Sequence, residues 1–351
     1  MKTRDSCHDP NHRLEAGCRL ADISFYVTTY RCKQDPQIVG SIANLAHAVT
    51  IAGHDGPELL RRLRASGLEL PALIDGRGYD PDKKRLYPED WVRRQRLVRG
   101  LIHPLLPGIY LAWDTDREAN SAFATSVRQQ GRIASDLGAA VLIALDARWL
   151  AKKRELVVEV LRSADVPVAL VLAHQRDPLA TRGAVRGLRH VTHRVPHLSL
   201  LRSDHGAVGA LAFGAEHASI GLTTSTRHYA TRKMGAWKHP GGTARLFIRP
   251  LLDWFLVTAV AGWTAAGKDV ICSLACCGEQ RLERFLDPDL DETWHNMNAL
   301  ADFANYICNA PPADREVEFV DQCRAATSRY GLAGWDGPKN PKAQLTGWAL
   351  L

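Results

Sequence analysis

Residues 140–174 read Ala140-Val-Leu-Ile-Ala-Leu-Asp146, then a charged amphipathic stretch, then Pro167-Val-Ala-Leu-Val-Leu-Ala-His174. Two short apolar runs rich in Val, Ile and Leu flank about twenty residues with helical spacing over 151–163. That is the pattern of a strand–helix–strand unit whose strands are parallel and covered on both faces. The same unit recurs along the chain. Strands are predicted at Ile23–Thr28, Ala48–Ala52, Pro71–Ile74, Gly108–Trp113, Ala140–Leu145, Pro167–Ala173, His197–Leu201 and Ala218–Leu222. Helices are predicted at 57–66, 88–102, 118–137, 151–163 and 206–215. Eight strands in this alternation predict a (β/α)8 TIM-like barrel. No Gly-x-Gly-x-x-Gly follows the first strand, which argues against a dinucleotide-binding fold.

The chain divides into a polar arm over 1–22, a barrel over 23–268, and a C-terminal helical region over 269–351 with a zinc-binding element. The last barrel helix and a further strand are expected within 244–274, and a helix over 313–329 followed by a loop. Its 351 residues carry a net charge of +7, with a pI near 9. That balance suits a polyanionic partner such as nucleic acid. No run of eighteen apolar residues is present, so no membrane span is expected. The charged start lacks an apolar core like that of a signal peptide. Eight cysteines without a secretion signal point to a reducing cytoplasm and to metal binding over disulfides.

The cysteines have a focus. Cys272-Ser-Leu-Ala-Cys276-Cys277 is followed, after a stretch of seventeen residues, by His295. Three thiols and an imidazole form a tetrahedral donor set for Zn2+, and the alternative is a group of buried free cysteines. Cys7, His8, His12 and Cys18 offer a second donor set, against the simpler reading of a tail.

Barrel active sites form at the C-terminal ends of the strands. Here those ends carry Asp75, Asp114 with Asp116, Asp146, His174 and Ser203-Asp204-His205. Converging carboxylates suit acid/base or nucleophilic chemistry, although Asp at such a place also caps helices. Gly76 and Gly78, next to Asp75, would let a ligand approach the backbone closely. A catalytic metal on His174, Asp204 and His205, in an unrelated hydrolase or lyase, is a further possibility at this mouth.

Ala72-Leu-Ile-Asp75-Gly-Arg-Gly-Tyr79 resembles the Asp-Ser-Gly-Gly-Phe motif of the tRNA-guanine transglycosylase family. Thr223-Thr-Ser-Thr-Arg227-His-Tyr-Ala-Thr-Arg232 is similar to that family's Pro-Thr-Arg-x-Ala-Arg segment. The cysteines and His295-Asn296 follow in the family's order, and Tyr87-Pro-Glu-Asp-Trp91 resembles a segment of the branch that inserts 7-deazaguanine bases into DNA. The resemblance spans about residues 23–308. It implies a barrel with a zinc site that exchanges guanine for a 7-deazaguanine base in tRNA or DNA through a covalent nucleotide–enzyme intermediate. Asp75 would take the acid/base role and Asp114 would read the base edge, with Tyr79 and His174 beside them in the pocket. Arg227, Arg232, Lys233 and Lys238 would contact phosphates, and the zinc region would pair two copies or join a partner subunit.

Two departures accompany the resemblance. The family's nucleophilic Asp has no counterpart in Glu216-His-Ala-Ser219-Ile-Gly221-Leu222, where Ser219 or Gly221 falls at its place. Asp204 and Glu216 are the carboxylates that could substitute. A non-catalytic relative that binds nucleic acid or partners an active subunit is therefore the second expectation. The cysteine spacing also differs: Cys-x3-Cys-Cys against the family's Cys-x-Cys-x2-Cys.

Overall fold

A computed structural model describes residues 23–46, 48–83, 85–231, 244–267, 270–287, 290–330 and 340–351. Eight parallel strands follow one another: β1 (Ile23–Thr28), β2 (Ala48–Ala52), β3 (Ala72–Asp75), β4 (Ile109–Leu111), β5 (Val141–Asp146), β6 (Val168–His174), β7 (Leu198–Ser203) and β8 (His217–Gly221). Their order in the sheet is β3-β2-β1-β8-β7-β6-β5-β4, so first and last strands are neighbours, as in a barrel. Each predicted strand is present, most within one residue of its predicted ends. The outer strands of this order, β3 and β4, meet only through isolated bridges. Ala72 pairs with Leu101 and Leu105 with Ala140, so the segment leading into β4 spans the seam.

Helices cover the outside: α1 (Thr29–Gln34), α2 (Ile38–Leu45), α3 (Gly56–Ala65), α4 (Pro88–Arg96), α5 (Arg117–Asp136), α6 (Ala147–Arg162), α7 (Ala184–Arg194) and α8 (Gly206–Ala212). Alternate strand residues face these helices. Phe25, Val49, Ile51, Ile74, Ile143, Leu170, Leu200 and Ile220 are fully buried there. Helix α4 ends earlier than its apolar pattern predicts. Val98 closes a turn and Gly100, at φ 70°, redirects the chain into the seam.

Past β8 the expected helix-then-strand order is replaced. Tyr229–Ala230 form a two-residue strand, β9, and β10 (Arg245–Ile248) and β11 (Asp253–Leu256) form an antiparallel hairpin. Pro250 and a left-handed Leu252 (φ 47°) make its turn, which breaks any helix at that point. Then come α9 (Val257–Ala265), α10 (Glu292–Asn309), α11 (Arg315–Arg329) and α12 (Ala343–Ala349). Helix α10 packs against α2 and α8 and so occupies the position of the barrel's last helix. Phe213, Phe319 and Trp348 stack together, joining α11 and α12 to the base of α8. The C-terminal region is thus part of the barrel's shell.

Candidate functional site

The lumen carries polar groups at both ends. Near the N-terminal end, Ser24 Oγ bonds Thr50 Oγ1 at 2.8 Å and His217 Nε2 at 2.9 Å. Leu73, Leu142, Val171 and Leu201 belong to an apolar cluster inside the barrel. At the C-terminal end sits Asp75, with no exposed surface. Its Oδ1 accepts the Arg77 N–H at 2.7 Å, and its Oδ2 accepts the hydroxyls of Tyr79, at 2.7 Å, and of Tyr26. Arg202 Nη1 donates to the Tyr79 hydroxyl at 3.2 Å, and the Arg202 guanidinium lies 6.0 Å from the Tyr26 and Tyr79 rings. A register shift in β7, with Arg202 left-handed at φ 54°, turns this side chain into the lumen.

Burial and then the Asp75 carboxylate push the Tyr26 and Tyr79 hydroxyls above their usual range. Burial pulls Arg202 down, but Tyr79, Tyr26 and Asp75 outweigh it, and the guanidinium titrates higher than usual. The cluster is one anion and one cation linked through two neutral phenols, with both charges hydrogen-bonded. That is the condition for a tolerable buried pair.

The other predicted pocket residues scatter. Gly76 and Gly78 are required by packing. A Cβ at Gly76 would lie 2.8 Å from Leu86 and 2.9 Å from Trp91, and one at Gly78 2.8 Å from the Pro107 carbonyl. Asp114 is exposed beyond β4 and accepts the Thr115 N–H at 2.6 Å, as a turn residue does. Asp146 caps α6 and binds Arg148 with both oxygens. His174 ends β6, its Nδ1 accepting the Arg176 N–H at 3.1 Å. Asp204 accepts from Gly206 N at 2.8 Å and from Gln344 Nε2 of α12 at 2.9 Å, which ties it to the C-terminal helix. Burial opposes its charge, but His205, Gln344 and Gly206 hold its carboxyl below the usual range. The neighbouring Asp177 is pushed up to about 7 by burial and by Asp204. Glu216 precedes β8 and pairs with His197 at 2.6 Å, on the opposite end of the barrel from Asp75.

Neither residue at the family's nucleophile position supplies one. Ser219 is fully buried within β8. A Cβ on Gly221 would lie 2.1 Å from the Thr226 carbonyl oxygen and 2.7 Å from the Arg227 amide. The turn Thr223–Thr226, closed by a reciprocal capping box, presses against that glycine. Arg227 does not stand on a solvated loop. Its guanidinium stacks 3.1 Å above the Trp254 ring, and burial lowers its pKa to about 9. Arg232, Lys233 and Lys238 lie outside the described residues, as do Cys7, His8, His12 and Cys18.

Cys272, Cys276, Cys277 and His295 come together with their ligand atoms all within 4.8 Å of one another. The bridge Ile271–Arg281 closes a hairpin whose tip, through Gly278 (φ 56°) and Glu279 (φ 60°), folds the cysteines inward. His295 stands in the first turns of α10, its Nδ1 3.3 Å from Cys277 Sγ and its Nε2 3.1 Å from the Phe247 carbonyl. The backbone partner orients the ring and leaves Nδ1 for an ion. Cys276 and then Cys277 pull the Cys272 thiol down to about 3, while Cys272 and then Cys277 drive Cys276 well above its usual range. Three sulfurs and an imidazole this close form a donor set that fits a metal ion. Among the described residues this is the one group of three or more such donors close enough to share an ion; His174, Asp204 and His205 do not form another.

No family model matches the chain, and no curated protein does. Solved structures similar to it include a tryptophan synthase α-subunit variant from Pyrococcus furiosus (12% identity, TM-score 0.39, covering 57% of this chain and 87% of that one). The deoxyribose phosphate aldolase of Aeropyrum pernix overlaps at 16% identity and TM-score 0.36, covering 57% and 86%. A 3-hexulose-6-phosphate synthase overlaps at 15% and 0.35, covering 57% and 89%. The likeness is one of fold alone. No helix among the described residues is long and apolar enough to cross a membrane.

Sequence reading missed Tyr26 and Arg202. The signal for Arg202 was present, a cation closing the apolar run His197-Leu-Ser-Leu-Leu-Arg202. Tyr26 follows the inward alternation set by Ser24.

Proposed function

We propose that this chain is a transglycosylase-type barrel that engages a guanine-like base of tRNA or DNA and does not complete base exchange by itself. The motif order supports the family. The packing of Gly221 against Thr226 supports the loss of catalysis, since no carboxylate fits where the family's nucleophile stands. Asp75 keeps the chemistry of base recognition. A carboxylate can accept two N–H groups from a guanine edge in place of the two phenols it holds in the closed chamber. Tyr79 and Tyr26 orient it, and Arg202 stands behind Tyr79 as the nearby cation. Exchange would need a carboxylate from a partner subunit.

We infer further that the sulfur–imidazole cluster holds zinc. All four donors are soft or borderline, and with four protein ligands no position stays open for catalysis. The ion would fasten the 270–282 hairpin to α10.

The deciding experiment offers labelled guanine with bulk tRNA and with duplex DNA to the purified chain. The expected result is no incorporation into either polymer, with salt-dependent binding of one of them retained. Incorporation that disappears in Asp75→Asn would replace this reading with an active transglycosylase.

A further inference from the structure

The Asp75 chamber has a door. Asp75, Tyr26, Tyr79 and Arg202 are each no more than 5% exposed, so nothing in solution reaches them as the chain stands. What closes the chamber is the segment after β8. From Gly221 it leaves the barrel edge, makes the short turn Thr224–Thr226, and crosses to the far side of the mouth. There β9 pairs in parallel with the end of β6, Tyr229 opposite Ala173 and Ala230 opposite His174. The Tyr229 ring packs edge-on against Tyr79, at 5.1 Å between centroids, and against Tyr110, at 5.4 Å. Arg202 reaches out of the chamber and donates from Nη2 to the Ser225 carbonyl at 2.8 Å.

This closure is held at a few points. Thr223, Thr224, Ser225 and Ala230 are exposed, while Arg227 stacks on Trp254 and Tyr229 is the apolar anchor in the mouth. The pairing is two residues long. Beside the segment, where β1 and β8 end, lies a cavity of about 280 Å³. Thr223, Ser225 and Thr226 form one wall, and Thr28, Arg31 and Tyr26, whose hydroxyl meets Asp75, also line it. Moving the segment would uncover Tyr79 and Arg202, which it covers through Tyr229 and Ser225.

We propose that Thr223–Ala230 is a latch that seals the Asp75 chamber, swings on Gly221–Leu222, and must open before a base can meet Asp75. Arg202 links the two sides: the cation that bonds the Tyr79 hydroxyl beside Asp75 also grips the latch. A base that takes over the Asp75 hydrogen bonds would disturb Tyr79, hence Arg202, hence the hold on Ser225. The base as ligand rests on the proposed function; the latch itself does not.

The test separates the two. A carbodiimide with an amine tags accessible carboxyl groups, and peptide mass spectrometry reads the tag on Asp75. In the wild type, Asp75 should stay unmodified while the exposed Asp114 is tagged. Tyr229→Gly should raise Asp75 tagging by about tenfold, the scale expected when two ring contacts are lost. Tyr229→Phe, which keeps the rings, should behave as the wild type. A folded Tyr229→Gly protein whose Asp75 stays untagged would overturn the latch and leave the proposed function standing. Tagging without any guanine binding would keep the latch and remove that function. Amide hydrogen exchange on the wild type covers the case of a variant that fails to fold: residues 223–231 should exchange at least about tenfold faster than β7 and β8. Exchange as slow as in those strands would overturn the proposal.

Discussion

The barrel lumen and the 270–282 hairpin both bury ionisable groups, and they solve the problem in opposite ways. In the lumen the charges are internal: Asp75 is balanced by Arg202 through Tyr26 and Tyr79, and every oxygen of the carboxylate has a donor. At the hairpin Cys272, Cys276 and Cys277 gather around His295 as a donor set that could hold a metal ion. The first cluster finds its partners within the chain, whereas the second offers four donors to an ion. A self-sufficient polar core gives up accessibility, whereas an ion-dependent one gives up stability when the ion is removed.

Breaking the proposed zinc site should therefore have the largest effect. Cys276→Ser is expected to lower zinc content and melting temperature together, by about 10 °C or more in a chain of this size. Metal analysis beside calorimetry reads both, and a variant with unchanged values for each would end the zinc assignment. Next comes Gly221→Asp, which puts an Asp where the transglycosylases that the sequence resembles have their nucleophile. The backbone of Thr226 leaves it no space, so it should cost about 4 kcal/mol in urea unfolding and yield no base exchange. Exchange activity in that variant would mean that the turn yields to the side chain. Asp75→Ala should cost about 3 kcal/mol by stranding two phenols and a guanidinium, and Asp75→Asn clearly less. Equal losses for the two would show that the carboxylate's charge, and not its hydrogen bonds, organises the lumen.

Asp177 supplies the intermediate case, a half-buried carboxylate that faces a second carboxylate, Asp204, with Lys342 as a weaker counter-charge. Its folded pKa of about 7 lies above the ordinary 3.8, so the folded state binds this proton more tightly than the unfolded one. Stability from this group is full below about pH 4 and declines as pH rises toward 7. Asp177→Asn should melt about 2–3 °C higher than the wild type at pH 8, with the gap closing toward pH 4. A gap that does not change with pH would show that Asp177 is already ionised in the folded chain.

How much of this was legible depended on whether the signal was local. Strands β5 and β6 are apolar runs bounded by turn residues, and a one-dimensional pattern locates them. The four hairpin donors could be named because sulfur and imidazole at close spacing have few other uses. Gly76, Gly78 and Gly221 looked alike in sequence, as glycines near a strand end. They differ only in what packs on them: Trp91, the Pro107 carbonyl and the Thr226 backbone. Those are distant or looped-back contacts that no spacing reveals. Arg202 entered the lumen through an irregularity in β7, and a strand pattern of period two assigns such a residue to the wrong face. Tyr229 was hidden for the same reason, since its partner strand β6 lies more than fifty residues earlier.

One pair of neighbours, His295 and Asn296, also ties α10 to the β10–β11 hairpin. The Asn296 side chain takes the Phe247 N–H at 2.7 Å and gives an N–H to the Arg245 carbonyl at 2.8 Å, while His295 meets the Phe247 carbonyl. A carboxamide is a peptide group in miniature, and here a helix imitates the missing third strand of the β10–β11 hairpin. The free edge of a two-stranded sheet is an invitation to another chain. In this protein that invitation is already answered from within, by the residue next to His295.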